Sequence, residues 1–242
     1  MDLWRRCRGT GMKFLQWCFD FPCPLCGAEN SFATRPNGFC PDCLAKLPFL
    51  HGRRCPGCGG ELDGVLDLCA KCLAMPPRPW RHAMALMALR GAGQEAIWKF
   101  KYGNTPVLAR SLAELAAPLL AAPEFARSDL IVPVPLHFLR LWSRSYNQSE
   151  LLARELARRL RIPWCNALKR VRPTGHQAAL DRAERLKNLK GAFQVRKNAQ
   201  IAGKKLLLVD DVLTTGATLH CAAEVLLAAS AAEVNIFVAA RR

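Results

Sequence analysis

Acidic residues are scarce in this chain: 19 aspartates and glutamates stand against 35 lysines and arginines, for a net charge of +16. Such an excess is larger than solubility needs, and it favours polyanionic partners: nucleic acid, an anionic membrane face or phosphorylated substrates. Long apolar runs are missing too. None approaches the roughly 20 residues of a membrane span, so no transmembrane helix is expected. No GxxxxGK(S/T) string occurs, which excludes a P-loop. Met12 to Phe21 carries Asp20 and runs into a cysteine pair without a small-residue cleavage site, so no signal peptide is expected and the cytoplasm is the expected compartment. An apolar content of 51% with 22% charged residues excludes disorder, and 242 residues suffice for one full core plus a small appendage.

Cysteine, by contrast, is plentiful. Of the twelve, eight fall in four C-x-x-C pairs, which is metal-ligand spacing and not a disulfide framework. Cys23-Pro-Leu-Cys26-Gly is followed by Cys40-Pro-Asp-Cys43-Leu, and Cys55-Pro-Gly-Cys58-Gly by Cys69-Ala-Lys-Cys72-Leu. The repeated unit is one pair of knuckles. Two knuckles complete a tetrahedral four-thiolate site, so Cys23, Cys26, Cys40 and Cys43 are assigned to one zinc, and Cys55, Cys58, Cys69 and Cys72 to a second. Interleaved pairing would cut across the repeat. With every position filled by thiolate the zinc ions are structural, and two such sites at −2 each still leave about +12. Cys7 and Cys18 lack partners in spacing.

The stretch carrying the chemistry is Lys204 to Leu219, KKLLLVDDVLTTGATL. Leu206 to Val209 reads as a strand buried on both faces of a parallel sheet. Asp210 and Asp211 follow at its carboxyl end, where ligands bind in open α/β sheets. Thr214, Thr215, Gly216, Ala217 and Thr218 then turn into an apolar helical pattern running to Ala229. A Gly-containing turn opening a helix presents free N–H groups and the positive end of the helix dipole to a phosphate, and the threonine hydroxyls add donors. Ionised carboxylates accept hydrogen bonds from vicinal hydroxyls. Phosphate at one end and a diol at the other describe a ribose 5-phosphate. A plain strand–turn–helix with a capping threonine would explain the turn but not the acidic pair. The string resembles the PRPP-binding motif of type I phosphoribosyltransferases, an apolar run, an acidic pair, then T-T-G-x-T.

Along the rest of the chain, residues 1–20 interleave aromatics with arginines, a pattern that suits either a helix docked on the adjacent module or a grip on single-stranded nucleic acid. Met75-Pro-Pro-Arg-Pro79 is a joint, and it divides a basic double zinc ribbon at 1–75 from an α/β domain at 80–242. Beyond it come a strand at Met84 to Leu89, helices at Gln94 to Phe100 and Val107 to Ala121, and a strand within Asp129 to Pro135. A long helix ends at Leu160, and Ala167 to Val171 and Glu233 to Ala239 read as further strands. Arg140 and Arg144 follow a ligand-facing strand end, as a pyrophosphate would require, though alone they would read as solvated charges. The basic, turn-rich run through Arg172, Thr174, Gln177, Arg185 and Asn188 reads as a loop and short helix over the anion site. Strands alternating with helices give a mainly parallel sheet with helices on both faces.

Taken together, the four knuckles, Phe100-Lys101-Tyr102-Gly103-Asn104, Ile131-Val-Pro-Val-Pro-Leu136, Arg140, Arg144 with Asn147-Gln148, Arg172-x-Thr174-x-x-Gln177, Arg185, Asn188 and VDDVLTTGATL resemble the ComF family of bacteria, including members described as GntX or amidophosphoribosyltransferase-like. The resemblance spans nearly the whole chain. It implies a type I phosphoribosyltransferase fold behind a zinc-binding N-terminus, and a link to competence and DNA uptake. One position departs: where the family usually has R-G-F-N-Q, this chain has Arg144-Ser145-Tyr146-Asn147-Gln148. Either the backbone there never needed positive φ, or binding is weakened.

Three functions follow as expectations. As an enzyme, the chain would hold PRPP with Mg²⁺: Thr214 to Thr218 on the 5-phosphate, Asp210 and Asp211 on the ribose hydroxyls, Arg140 and Arg144 on the leaving pyrophosphate, and Lys101, Arg172 and Gln177 in a lid. As a nucleic-acid factor it would bind single-stranded DNA through its ribbons and basic surface. As a scaffold it would hold a helicase or translocation partner of the DNA-uptake machinery. Fold alone does not choose among them.

Overall fold

The computed structural model describes residues 22–29, 37–136, 145–172 and 182–242. The aromatic and basic N-terminal stretch, Arg140, Arg144, Thr174 and Gln177 lie outside the described residues. Each C-x-x-C-Leu knuckle forms the first turn of a short helix, α1 at Pro41–Lys46 and α2 at Ala70–Leu73. The leading cysteine is the N-cap, and the Sγ of Cys40 accepts the N–H of Cys43 at 3.4 Å. After these come β1 (Ala83–Ala88), α3 (Gly91–Tyr102), α4 (Leu108–Leu120), α5 (Pro123–Ala126), β2 (Leu130–Pro133) and α6 (Gln148–Leu160). β3 (Leu168–Arg170), α7 (Arg182–Leu189), β4 (Phe193–Val195), β5 (Lys205–Leu213), α8 (Ala217–Ala228) and β6 (Glu233–Arg241) complete the chain.

Four strands form one parallel sheet in the order β1-β6-β5-β2, while β3 and β4 pair antiparallel beside it. The parallel order demands helical crossovers, and they cover both faces. On one side Leu207 and Val209 pack with Phe100 of α3, Leu112 of α4 and Leu152 of α6. On the other, Leu206 and Leu208 pack with Leu226 of α8 and with Leu189 and Phe193. Alternate residues of one strand thus serve two cores, which is why the strand reads as an unbroken apolar run. β5 continues past that run through both aspartates to Leu213, because its backbone pairs with β6 as far as Arg241 whatever the side chains are. The Asp129–Pro135 region keeps only Leu130–Pro133 as strand, and Trp164 forms a parallel bridge to Ile131 along the outer side of β2.

The second ribbon lies on the other edge. Leu50 donates to the Leu86 carbonyl at 3.2 Å, Ala88 donates to the Pro48 carbonyl at 2.9 Å, and Phe49 bridges Met87 antiparallel. Gly59, at φ +68°, comes so close to β1 that a Cβ would sit 2.6 Å from the backbone nitrogen of Ala85. Only glycine satisfies both the left-handed backbone and that approach. Cys55, Cys58 and Cys72 are therefore buried in the same core as Ala85 and Val238. Cys23, Cys40 and Cys43 join the opposite core with Phe100 and Leu112. Among the described residues no helix is long and apolar enough to cross a membrane.

Candidate functional site

The two cysteine clusters assemble as the repeat predicts. Within Cys23/Cys26/Cys40/Cys43, and again within Cys55/Cys58/Cys69/Cys72, all four sulfurs lie within 4.8 Å of one another. Cys26 and Cys40 sulfurs stand 3.6 Å apart, and those of Cys58 and Cys69 3.7 Å apart. A tetrahedron with Zn–S of about 2.3 Å has edges of about 3.8 Å, so these separations and the all-thiolate donor set suit zinc. Backbone N–H groups point at the sulfurs: Cys40 donates to Cys23 and Cys69 to Cys55, each at 3.4 Å. Burial raises Cys23, but N–H donors from Cys40, Cys26 and Leu25 outweigh it and bring the thiol down to about 6. Burial first, and the neighbouring thiolates second, push Cys43 and Cys72 well above the thiol range and Cys58 up to about 11. Four crowded sulfurs cannot all ionise unaided. A divalent cation at their centre lets them do so.

The second assembly sits at the carboxyl ends of the parallel strands. Asp210 Oδ1 accepts the hydroxyl of Ser149 at 2.7 Å and the N–H of Asp211 at 2.9 Å. Asp211 is only 8% exposed, and its Oδ2 lies 3.1 Å from Lys101 Nζ. Burial, then the charge of Asp211, push the Asp210 carboxyl up to about 7; Ser149 and Lys101 act the other way. A carboxyl perturbed this far by desolvation and a like charge is a recognised mark of a functional site. Lys101, expected over the site as part of a lid, sits in the last turn of α3 and is ion-paired to the acidic pair.

Beyond Leu213, Val212 and Thr214 to Leu219 line a small cavity of about 40 Å³. Gly216 is the N-cap of α8 at φ +77°, with no side-chain cap on the helix. Thr215 Oγ1 accepts the N–H of Ala217 at 3.4 Å. The first turn of α8 carries no acidic residue. Backbone N–H groups, threonine hydroxyls and the dipole of a 12-residue helix thus meet at one small polar recess suited to a phosphate.

Tyr146 to Ser149 reach the acidic pair from another side of the sheet's end, through the Ser149 hydroxyl on Asp210. Tyr146 Oη and Gln148 Nε2 both donate to the carbonyl of Phe100, at 2.7 and 3.2 Å, near the end of α3. Asn147 caps α6 by accepting the N–H of Ser149 at 3.1 Å, and its Nδ2 donates to Val134 beyond β2 at 3.1 Å. Four consecutive side chains thus tie α3, β2, α6 and β5 together. Ser149 reads in the sequence only as part of a helical period; its hydrogen bond to Asp210 depends on the packing of α6 on β5. Ser145 adopts φ +64°. Of the two alternatives at the family's usual glycine, the first is therefore answered: the position does take the left-handed backbone, and serine bears the strain. Ser145→Gly is expected to raise stability by about 0.5–1 kcal/mol, read as a higher urea midpoint with unchanged slope. Arg172 is exposed and donates to the Lys190 carbonyl at 3.3 Å.

A family model described as "Double zinc ribbon domain" matches residues 14–73, and one described as "Phosphoribosyl transferase domain" matches residues 146–242. "Competence protein F" of Haemophilus influenzae is 34% identical over 235 residues, covering 92% of this chain and 98% of that protein. "DNA utilization protein YhgH" of Escherichia coli is 34% identical over 190 residues, 76% of this chain and 82% of that one. Among solved structures, the glutamine phosphoribosylpyrophosphate amidotransferase of B. subtilis aligns at 20% identity and a TM-score of 0.40, over 59% of this chain and 30% of that one. With a parallel α/β sheet behind two four-cysteine sites, and relatives matched over most of its length, this chain belongs to the ComF family, a double zinc ribbon joined to a phosphoribosyltransferase domain.

Proposed function

We propose that the pocket at the end of β5 binds PRPP as its Mg²⁺ complex, and that the protein acts in the handling of incoming DNA. The observation carrying the first half is the continuity of one strand, turn and helix: a buried acidic pair, then a hydroxyl-rich recess at a glycine-capped helix N-terminus. Thr214 to Thr218 would hold the 5-phosphate. Asp210 and Asp211 would accept from the ribose hydroxyls, with Ser149 and Lys101 fixing their orientation. In phosphoribosyl transfer the bond from C1 to pyrophosphate breaks, its electron pair leaving with pyrophosphate, and an acceptor attacks the cationic ribosyl carbon. Carboxylates held near that carbon favour its charge, so the contribution of these residues is positioning and electrostatics without a covalent nucleophile. Arg140 and Arg144 are proposed for the pyrophosphate, and Arg172 and Gln177 for a lid.

The second half rests on charge and kinship. The net charge of +16 favours a polyanion, and the relatives carry names of competence and DNA utilization. We take residues 1–75 as the module for single-stranded DNA or for a translocating helicase, residues 80–242 as the ligand-binding domain, and the cytoplasm as the working compartment.

Calorimetry with PRPP–Mg²⁺ tests the ligand. Wild type is expected to bind in the micromolar class, about −8 kcal/mol, and Asp210→Ala/Asp211→Ala, shown to be folded and zinc-loaded, to lose roughly a hundredfold, as for removal of two charged hydrogen-bonding groups. A wild type that does not bind would end the PRPP reading and leave DNA as the ligand to pursue.

A further inference from the structure

Arg78 stands in the proline-rich joint, far from the β5 motif in sequence, yet it reaches the phosphate recess. Its Nη1 donates to the carbonyl of Thr215 at 3.2 Å, across 137 residues of chain. Its guanidinium stacks over Trp80, 5.2 Å from the ring centroid, and Nη2 lies 3.3 Å from Met75 Sδ. Nε is buried, with no partner among the described residues. Trp80 in turn donates its indole N–H to the carbonyl of Gly57, at 3.2 Å, inside the Cys55–Cys58 knuckle. A Cβ on Gly216 would lie 2.9 Å from Arg78 Nη1 and 3.5 Å from Trp80, so this pair fills the space beneath the turn.

A trans peptide sets C=O and N–H on opposite sides. Anchoring the Thr215 carbonyl on Arg78 therefore aims the Gly216 N–H away from the arginine. A guanidinium is always charged, and its planar fork can hold a carbonyl, a sulfur and a ring at once. The same cation adds positive potential under a recess meant for an anion. Arg241 gives a second connection: it ends β6 beside Leu213 and lies against Gly60, where an added Cβ would come within 2.5 Å of its Nη1.

We infer that Arg78 is a positioning residue for the 5-phosphate, holding the Thr215–Gly216 peptide in its receptive orientation and linking it through Trp80 to the second zinc knuckle. The ligand in this inference rests on the PRPP reading above; the loop geometry does not. The experiment uses the full-length, zinc-loaded protein: wild type, Arg78→Ala, Arg78→Lys, and as control Arg81→Ala, which removes an exposed arginine paired to Glu233. PRPP–Mg²⁺, ribose 5-phosphate and pyrophosphate–Mg²⁺ are titrated by calorimetry, zinc is counted, and amide hydrogen exchange of residues 213–219 is followed without ligand.

Arg78→Ala is expected to weaken PRPP and ribose 5-phosphate roughly tenfold or more, to leave pyrophosphate and zinc content as in wild type, and to quicken exchange in that segment roughly tenfold. Arg78→Lys, which keeps the charge but not the fork, should recover part of the loss, and it carries the comparison should the alanine variant not fold. Unchanged exchange and unchanged affinities would overturn the inference. So would an equal loss for all three ligands, since a general loosening spares none of them. Failure of wild type to bind any ligand, with exchange still quickened by Arg78→Ala, would sink the PRPP reading while the role of Arg78 in the loop stood.

Discussion

Cys55→Ser is expected to leave no cooperatively folded protein at 25 °C and to lower the zinc content from two ions per chain to one or fewer. Cys55 is fully buried, and its sulfur accepts the N–H of Cys69 at 3.4 Å. It shares a core with Trp80, Ala83 and Ala85, so the site is part of the sheet's own packing. Structural zinc in finger peptides contributes about 10–16 kcal/mol on binding, and a whole domain is stable by only about 5–15 kcal/mol. Loss of this ion is thus of the same size as the entire stability. Cys26→Ser is the contrasting variant. Cys26 is exposed, unlike its three buried partners, so Cys26→Ser leaves those three thiolates packed in their core and should weaken that zinc without expelling it, and the sheet should keep a measurable melt. Circular dichroism melts beside metal analysis make the comparison. A Cys55→Ser protein melting within a few degrees of wild type would refute the coupling of the second ribbon to the core.

The second large effect has the opposite sign. At pH 8, Asp210→Asn is expected to be more stable than wild type by on the order of 4 kcal/mol. The Asp210 carboxyl stands at about 7 in the fold, raised by burial and then by Asp211, against about 3.9 in an unfolded chain. A carboxyl that holds its proton more tightly when folded favours the fold while protonated. That stabilisation is complete below about pH 4 and is lost as pH rises through 7. Asparagine never ionises, so the difference between the two proteins should open between about pH 4 and 7 and stay constant above. Urea midpoints at pH 5, 6, 7 and 8 read it directly; parallel pH curves would show that Asp210 does not carry the titration. On the proposed PRPP reading, the same ionisation would govern the ligand. If the ionised pair accepts from the ribose hydroxyls, PRPP–Mg²⁺ affinity rises about tenfold from pH 6 to pH 8 in wild type. Stability given up at neutral pH is then the cost of a carboxylate kept ready for a diol.

Most of the fold is legible in the sequence, because its signals are local. Leu206 to Val209 must be a two-faced strand, and the cysteine repeat admits one pairing without interleaving. The turn at Gly216 announces itself by composition. The end of β5 is not legible: hydrogen bonds to β6 carry the strand to Leu213, while polar side chains suggest a stop at Asp210. β4 is too short and too mixed to read, and it exists because β3 pairs with it. In the site, the acidic pair and the threonine turn lie together in the chain, so one motif displays them. Ser149, Lys101 and Arg78 come from three other elements and meet that motif only through packing. Arg78 in particular reads as a solvated charge between prolines, and nothing local separates it from any other surface arginine.

The strip of ribbon that covers β1 has a consequence for the chain's life in the cell. β1 is an outer strand of the sheet, with the sequence Ala-Met-Ala-Leu-Met-Ala, and neither charge nor proline guards it. Residues 48–50 occupy its free hydrogen-bonding side, and the second ribbon holds them there. Until the metal arrives, that side is a ready template for the strand of another molecule. Chains made faster than zinc can be supplied should therefore associate through β1, and the yield of soluble protein should follow the zinc in the growth medium more closely than it follows temperature.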